Sequence, residues 1–256
     1  MNLYTGIIGG CMMCQPGLQL SELYFRRFSH LVEEHFGIMP RVSFGYYNDF
    51  YKVPLLADHL FKKEAIKLVV FQIRPAPILA RSEFMISDYQ GGLILNPLLK
   101  KRKNYQKLEE ILGQMNPVIR GPNGFSWWKR CYLIPLHKHR VRLGELSGLV
   151  KNTQAYLQQT LLMLQKKCAE NDAALFVVSP VPTSNKNRND LLFEMNVFLK
   201  DTIADASIPY IDVFSAFLQK LDAYLTEDRI HLNAAGHDLL ANKLFDEFCK
   251  YKEYHF

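Results

Sequence analysis

A thiol near one end of the chain and a histidine near the other stand in surroundings that suit nucleophilic chemistry. The stretch Ile7-Ile8-Gly9-Gly10-Cys11-Met12-Met13-Cys14-Gln15-Pro16-Gly17 closes a short apolar run with two glycines, then places Cys11 where a helix could soon begin. Glycine tolerates a tight backbone corner, and a helix N-terminus presents unsatisfied N–H groups and positive potential, which favour a thiolate. Near the C-terminus lies Asp228-Arg229-Ile230-His231-Leu232-Asn233-Ala234-Ala235-Gly236-His237. An acid three residues before a histidine in a loop can turn both side chains toward one site, the carboxylate orienting the imidazole and stabilising its charged form. Cys11, His231 and Asp228 thus have the chemical types of a nucleophile, base and acid relay.

Those residues need a scaffold, and the hydrophobic pattern supplies one. Leu20, Leu23, Tyr24, Phe28, Leu31 and Val32 recur at helical spacing, with Gly37 and Pro40 beyond the end. Arg41 to Phe44 reads as a short strand with Gly45 as a break, and Val53 to Lys63 as a second helix. Lys67 to Ile73 is a short apolar run bounded by Arg74-Pro75-Ala76-Pro77, the pattern of a central parallel strand ending in a loop. A helical stripe from Leu146 to Cys168 leads to a second such run, Ala173 to Val178, which stops at Ser179-Pro180-Val181-Pro182. Leu191 to Ile203 predicts another helix, Ile208 to Val213 another strand, and Ala234 to Phe248 a terminal helix. Strands alternating with helices predict a three-layer α/β/α sandwich around a mainly parallel sheet, with sites at the carboxyl ends of the strands.

The chain reads as a single domain over 1–256 with an insertion of helices and loops at about 80–140, which includes Trp127 and Trp128. At 256 residues and 48% hydrophobic content it can bury a substantial core. A formal charge of +6 favours anionic substrates slightly and does not imply nucleic acid. Five scattered cysteines do not form a disulfide framework, and the N-terminus lacks a basic-then-apolar leader, so the expected setting is cytoplasmic. No apolar run approaches the length of a membrane span.

Taken together, the chain resembles the SGNH, or GDSL-type, hydrolases. In that family a Gly-Asp-Ser block follows the first strand and an Asp-x-x-His block precedes the last helix. Gly9-Gly10-Cys11 and Asp228-Arg229-Ile230-His231 occupy those places here, and Asn233 and Gly236 follow the second block into its helix. The resemblance implies an SGNH/flavodoxin-like fold and ester chemistry. It also exposes departures: Cys11 stands for the nucleophilic serine and Gly10 for the acid before it. No Asn is present near Arg74-Pro75-Ala76, where the family carries its oxyanion-binding Asn. Gly45, Asn48 and Arg74 are the candidates for oxyanion or substrate binding. Arg74 has three readings: a charged donor in place of the Asn, a receptor for an acidic group of the substrate, or a structural salt bridge.

The expected function is hydrolysis or acyl transfer on an ester, with an acetylated carbohydrate and a short-chain acyl ester as candidate substrates, by a Cys11-His231-Asp228 relay without cofactor or metal. Two alternatives belong to other classes. One is a catalytically inactive SGNH-like binding protein. The other is a thiol redox protein using Cys11 and Cys14, which form a Cys-x-x-Cys at the strand-helix corner. A zinc site assembled from Cys11, Cys14, His137 and His139 fits poorly, because the pairs are too far apart in sequence for a finger. His30, His35, His59 and His237 read as surface or packing residues.

Overall fold

The computed structural model describes residues 3–10, 17–47, 50–75, 78, 85–87, 93–95, 143–184, 186–227 and 231–255. Its elements, in chain order, are β1 (Tyr4–Gly9), α1 (Tyr24–Phe36), β2 (Arg41–Tyr46), α2 (Val53–Lys63) and β3 (Leu68–Gln72). There follow β4 (Met85–Ser87), β5 (Leu93–Leu95), α3 (Leu143–Glu170), β6 (Ala174–Val178) and α4 (Lys186–Asp205). The chain closes with β7 (Tyr210–Ile211), α5 (Phe214–Gln219), α6 (Leu221–Tyr224) and α7 (Ala234–His255).

Five strands form one parallel sheet in the order β2-β1-β3-β6-β7. Alternate residues point to opposite faces. Ile8, Val69, Phe71 and Val177 pack with residues of α2, α3 and α4, whereas Ile7, Val70, Phe176 and Val178 pack with α1 and α7. Strands buried on both faces must be apolar at successive positions, which is why β3 and β6 were legible as uninterrupted runs. Phe28 and Phe248 meet edge-on with ring centroids 5.7 Å apart and tie α1 to α7. The three-layer α/β/α class expected from the sequence is therefore the observed one.

Three expectations shift in detail. Gly45 does not break β2, which runs on to Tyr46 with Gly45 opposite Ile8. A Cβ at Gly45 would lie 3.2 Å from the Leu56 Cβ, so the glycine answers to the close approach of α2. The strand expected over 208–213 narrows to Tyr210–Ile211, because the N–H groups of Val213 and Phe214 donate to the Ser179 Oγ at 2.9 and 3.1 Å and Asp212 Oδ1 accepts from the Phe214 N–H at 3.1 Å. Within the insertion, β4 and β5 pair antiparallel around Ile86 and Ile94 where helices and loops were expected. Trp127, Trp128, His137 and His139 lie outside the described residues.

Helix α1 ends on Gly37 with φ 67°, in the left-handed region, and its N–H donates to the Glu33 carbonyl at 2.8 Å. No heavy atom stands within 4 Å of where a Cβ would be. The strain of an L-residue is then the whole effect: Gly37→Ala should lower stability by about 1 kcal/mol, and Gly37→Asn by less. Urea denaturation of the two variants measures this, and equal stability of Gly37→Ala and wild type would contradict it.

Candidate active site

The sheet order places β1 and β3 side by side with their helices leaving to opposite faces, the switch point beyond whose carboxyl ends sheets of this kind bind ligands. Gly10 and Arg74 meet there. A Cβ on Gly10 would fall within 2.6 Å of the Arg74 Cδ and 2.9 Å of its Cζ, and closer still to Nε, so the guanidinium lies directly on the glycine. Arg74 is only 9% exposed.

Tyr47 holds Arg74 from two sides. The Arg74 N–H donates to the Tyr47 Oη at 2.9 Å, and that hydroxyl donates to the Gln72 carbonyl at 2.9 Å. Arg74 Nη1 donates to the Tyr47 carbonyl, while the Tyr47 N–H donates to the Gly9 carbonyl at 3.2 Å. The Arg74 Cζ stands 4.7 Å from the Tyr46 ring centroid and 5.7 Å from that of Tyr47, both within cation–π range. The salt bridge that sequence allowed for Arg74 is not formed among the described residues.

Gly45 belongs to this region only through its strand. Arg41 N–H donates to Leu3 O and Tyr47 N–H to Gly9 O, so by alternation the Gly45 N–H also faces β1 and is spent in the ladder. Asn48, Cys11, Cys14 and Asp228 lie outside the described residues.

His231 arrives on the loop before α7. Leu225 and Leu232 form an antiparallel bridge, and the His231 carbonyl accepts from the Thr226 N–H at 2.8 Å and its Oγ1 at 3.2 Å. Asn233 explains its place in the motif: its Nδ2 donates to the Ala223 and Leu225 carbonyls, and its Oδ1 accepts from the Gly236 N–H at 3.0 Å, an N-cap bond. Gly236 leaves room for the Tyr224 carbonyl, which a Cβ would approach to 2.5 Å.

The histidine one turn into α7 was expected at the surface or in packing, and it is fully buried. His237 Nδ1 accepts the Tyr24 N–H at 3.2 Å, which satisfies a donor at the start of α1 that has no side-chain cap of its own. Its ring lies parallel to that of Tyr24 at 6.1 Å. Burial, with the nearby Arg27 cation and His231, pushes its pKa down to about 4. Arg27 itself pairs with Asp238 at 2.5 Å. His237 therefore ties the His231 loop to the start of α1. Tyr24 there is buried, its hydroxyl has no hydrogen-bond partner among the described residues, and its pKa is raised by burial and by Tyr47. No local pattern in the sequence announced the pairing of residues 24 and 237.

Among the described residues no three His, Cys, Asp or Glu side chains gather to hold a metal ion, and no helix is long and apolar enough to cross a membrane. Cys168 is buried, which raises its thiol pKa to about 12 and leaves it unreactive.

No family model and no curated protein matches the chain. Solved structures do. The lipase Lip_vut3 from a goat rumen metagenome superposes with a TM-score of 0.60 at 13% identity, over 96% of this chain and 97% of that one. TesA gives 0.57 at 12% identity over 95% and 97%. Axe2, an acetylxylan esterase from Geobacillus stearothermophilus, gives 0.56 at 12% identity over 96% and 93%. The chain shares its fold with solved lipases and esterases. At these identities the likeness establishes the architecture alone, so the chemistry must be argued from the residues.

Two outcomes follow from the geometry. Gly10→Ala should destabilise by about 1–3 kcal/mol through overpacking against Arg74, and by less in an Arg74→Ala background; additive losses in denaturant unfolding would contradict the contact. For His237 the folded pKa lies below the unfolded value of 6.5, so the unfolded chain takes up the proton first as pH falls. Its contribution is full above about 6.5 and drains away toward about 4, by roughly 3 kcal/mol in all. Urea midpoints across that window should fall less steeply for His237→Phe than for wild type, and parallel slopes would contradict the assignment.

Proposed function

We propose that this protein is an SGNH-type ester hydrolase or acyltransferase in which Cys11 is the nucleophile, His231 the proton carrier and Asp228 the residue that orients His231. The reading is carried by one placement. The glycine that immediately precedes Cys11 sits at the carboxyl end of β1, at the switch point of the sheet, with a fixed guanidinium on it. Two further observations support it: the His231 loop is tied through His237 to the start of α1, and the fold is shared with a lipase and an acetylxylan esterase.

In the proposed reaction the Cys11 thiolate attacks the ester carbonyl, forming a C–S bond as the carbonyl π pair moves to oxygen. The Cys11 N–H stabilises that oxyanion. Collapse breaks the C–O bond, and the alcohol leaves with the proton carried by His231. Water, deprotonated by His231, then cleaves the thioester, releasing the acid and restoring the thiol; a second alcohol in place of water gives transfer. Arg74 lies one residue from the nucleophile and favours the thiolate electrostatically. Short-chain acyl esters and acetylated carbohydrates are the substrate classes the reading covers.

An alternative is a binding protein that keeps the site without turnover, favoured by the absence of an Asn near Arg74. Hydrolysis of 4-nitrophenyl acetate separates the two. Wild type should turn over, Cys11→Ala should fall to background, and His231→Ala should lose about 10²–10⁴ in rate. Wild-type turnover no different from that of either variant would overturn the relay. Iodoacetamide should also label Cys11 below the pH at which an ordinary thiol reacts.

A further inference from the structure

Arg74 is the one Lys, Arg, Asp or Glu side chain that is buried among the described residues. Four more exposed cations pair with carboxylates: Arg27 with Asp238, Lys67 with Asp172, Lys167 with Asp58 and Lys200 with Asp212. Each of those is more exposed than Arg74 and needs a counter-charge less. No carboxylate among the described residues meets this guanidinium, and the partial relief it gets from a carbonyl and two rings does not neutralise a cation withdrawn from water. Its place also matters. It rests on Gly10, beside the proposed nucleophile, and its face lies over Tyr46, which is 50% exposed and carries the group to the edge of solvent.

We propose that Arg74 is a receptor for a carboxylate on the substrate, so that the ester hydrolysed at Cys11 carries a negative charge a short spacer away from the scissile carbonyl. The proposal rests on the hydrolase reading for the reaction and on the Arg74 geometry for the charge. One guanidinium matches one negative charge, and the N–H donors not spent on Tyr47 can meet the oxygens of a carboxylate monoanion, whereas a phosphate dianion would need a second cation. The alternative role, a donor to the transient oxyanion, engages the cation only during the acyl-transfer step, whereas a substrate carboxylate engages it throughout the bound state. A permanent substrate anion compensates it on binding. Tyr47, by fixing both the backbone and Nη1 of Arg74, preorganises the receptor. The overall charge of +6 steers such substrates in the same direction.

The test compares mono-4-nitrophenyl glutarate with its neutral methyl ester, each corrected for uncatalysed hydrolysis, in wild type, Arg74→Met and Arg74→Lys. Wild type should favour the anionic ester in kcat/KM by about tenfold or more, the preference should collapse in Arg74→Met, and Arg74→Lys should keep part of it. A wild-type enzyme that hydrolyses both esters with equal kcat/KM overturns the proposal, and so does an unchanged ratio in Arg74→Met. Loss of both activities in equal proportion in Arg74→Met assigns the oxyanion role instead and also overturns it. Calorimetric binding of glutarate, which needs no turnover, keeps this result separate from the reaction. If glutarate binds wild type and not Arg74→Met while neither ester is cleaved, the hydrolase reading fails and the carboxylate receptor stands. Absence of glutarate binding to wild type overturns the receptor whatever the esters do.

Discussion

A charged side chain buried at the carboxyl ends of β1 and β3 constrains everything around it. Arg74 can lie where it does only because position 10 has no Cβ, and it stays there because Tyr47 takes up both its backbone N–H and one of its side-chain donors. Tyr47 in turn is fixed by the Gly9 carbonyl and by its own bond to Gln72. The ends of β1, β2 and β3 are thus locked to one another by polar contacts just where the apolar ladder gives out. A change at any one of these positions is felt at the others, and a glycine that departs from the acid of the resembled family becomes the steric partner of an arginine that departs from its asparagine region.

The second junction lies across the sheet, where α1 and α7 meet. Aromatic contacts such as Phe28 with Phe248 supply the packing, and His237 supplies the polar stitch by accepting the first free N–H of α1. An imidazole can accept only while that nitrogen is unprotonated, so burial that disfavours its charge also protects its structural role. The stitch draws the start of the first helix and the loop before the last one to the same end of the molecule. Chain segments more than two hundred residues apart come together there, since His237 and Tyr24 are separated by 213 positions.

Much of this architecture was legible because it depends on local pattern. Val53 to Lys63 was read as a helix with the bounds it has, and the apolar runs at 68–73 and 173–178 announced strands buried on both faces. What escaped depends on tertiary contact. Gly45 looked like a stop, yet it is a strand residue pressed by Leu56, a neighbour that no window of sequence contains. The strand over 208–213 ended early because Asp212 and Ser179 capture the N–H groups that a longer ladder would have used. Of the site, the Gly9-Gly10 pair read as a tight corner before Cys11, whereas Gly10 also answers to Arg74, a partner that shows only once β1 and β3 are neighbours. The burial of His237 had no local signature, because its acceptor nitrogen serves a helix at the far end of the chain.

The loop that carries His231 has a further property. Its closure relies on the Leu225–Leu232 bridge, on backbone carbonyls and on Thr226 and Asn233, and none of those bonds uses the imidazole. Its two ends are pinned side by side by these bonds. The described ends of the segment, Thr226 and His231-Leu232, thus meet through main-chain bonds, an arrangement that tolerates variation in what lies between. For anyone wishing to install a different proton carrier or a new reactive group on this scaffold, residues 227–231 are the place to exchange, with Thr226 and Asn233 left as the clasp.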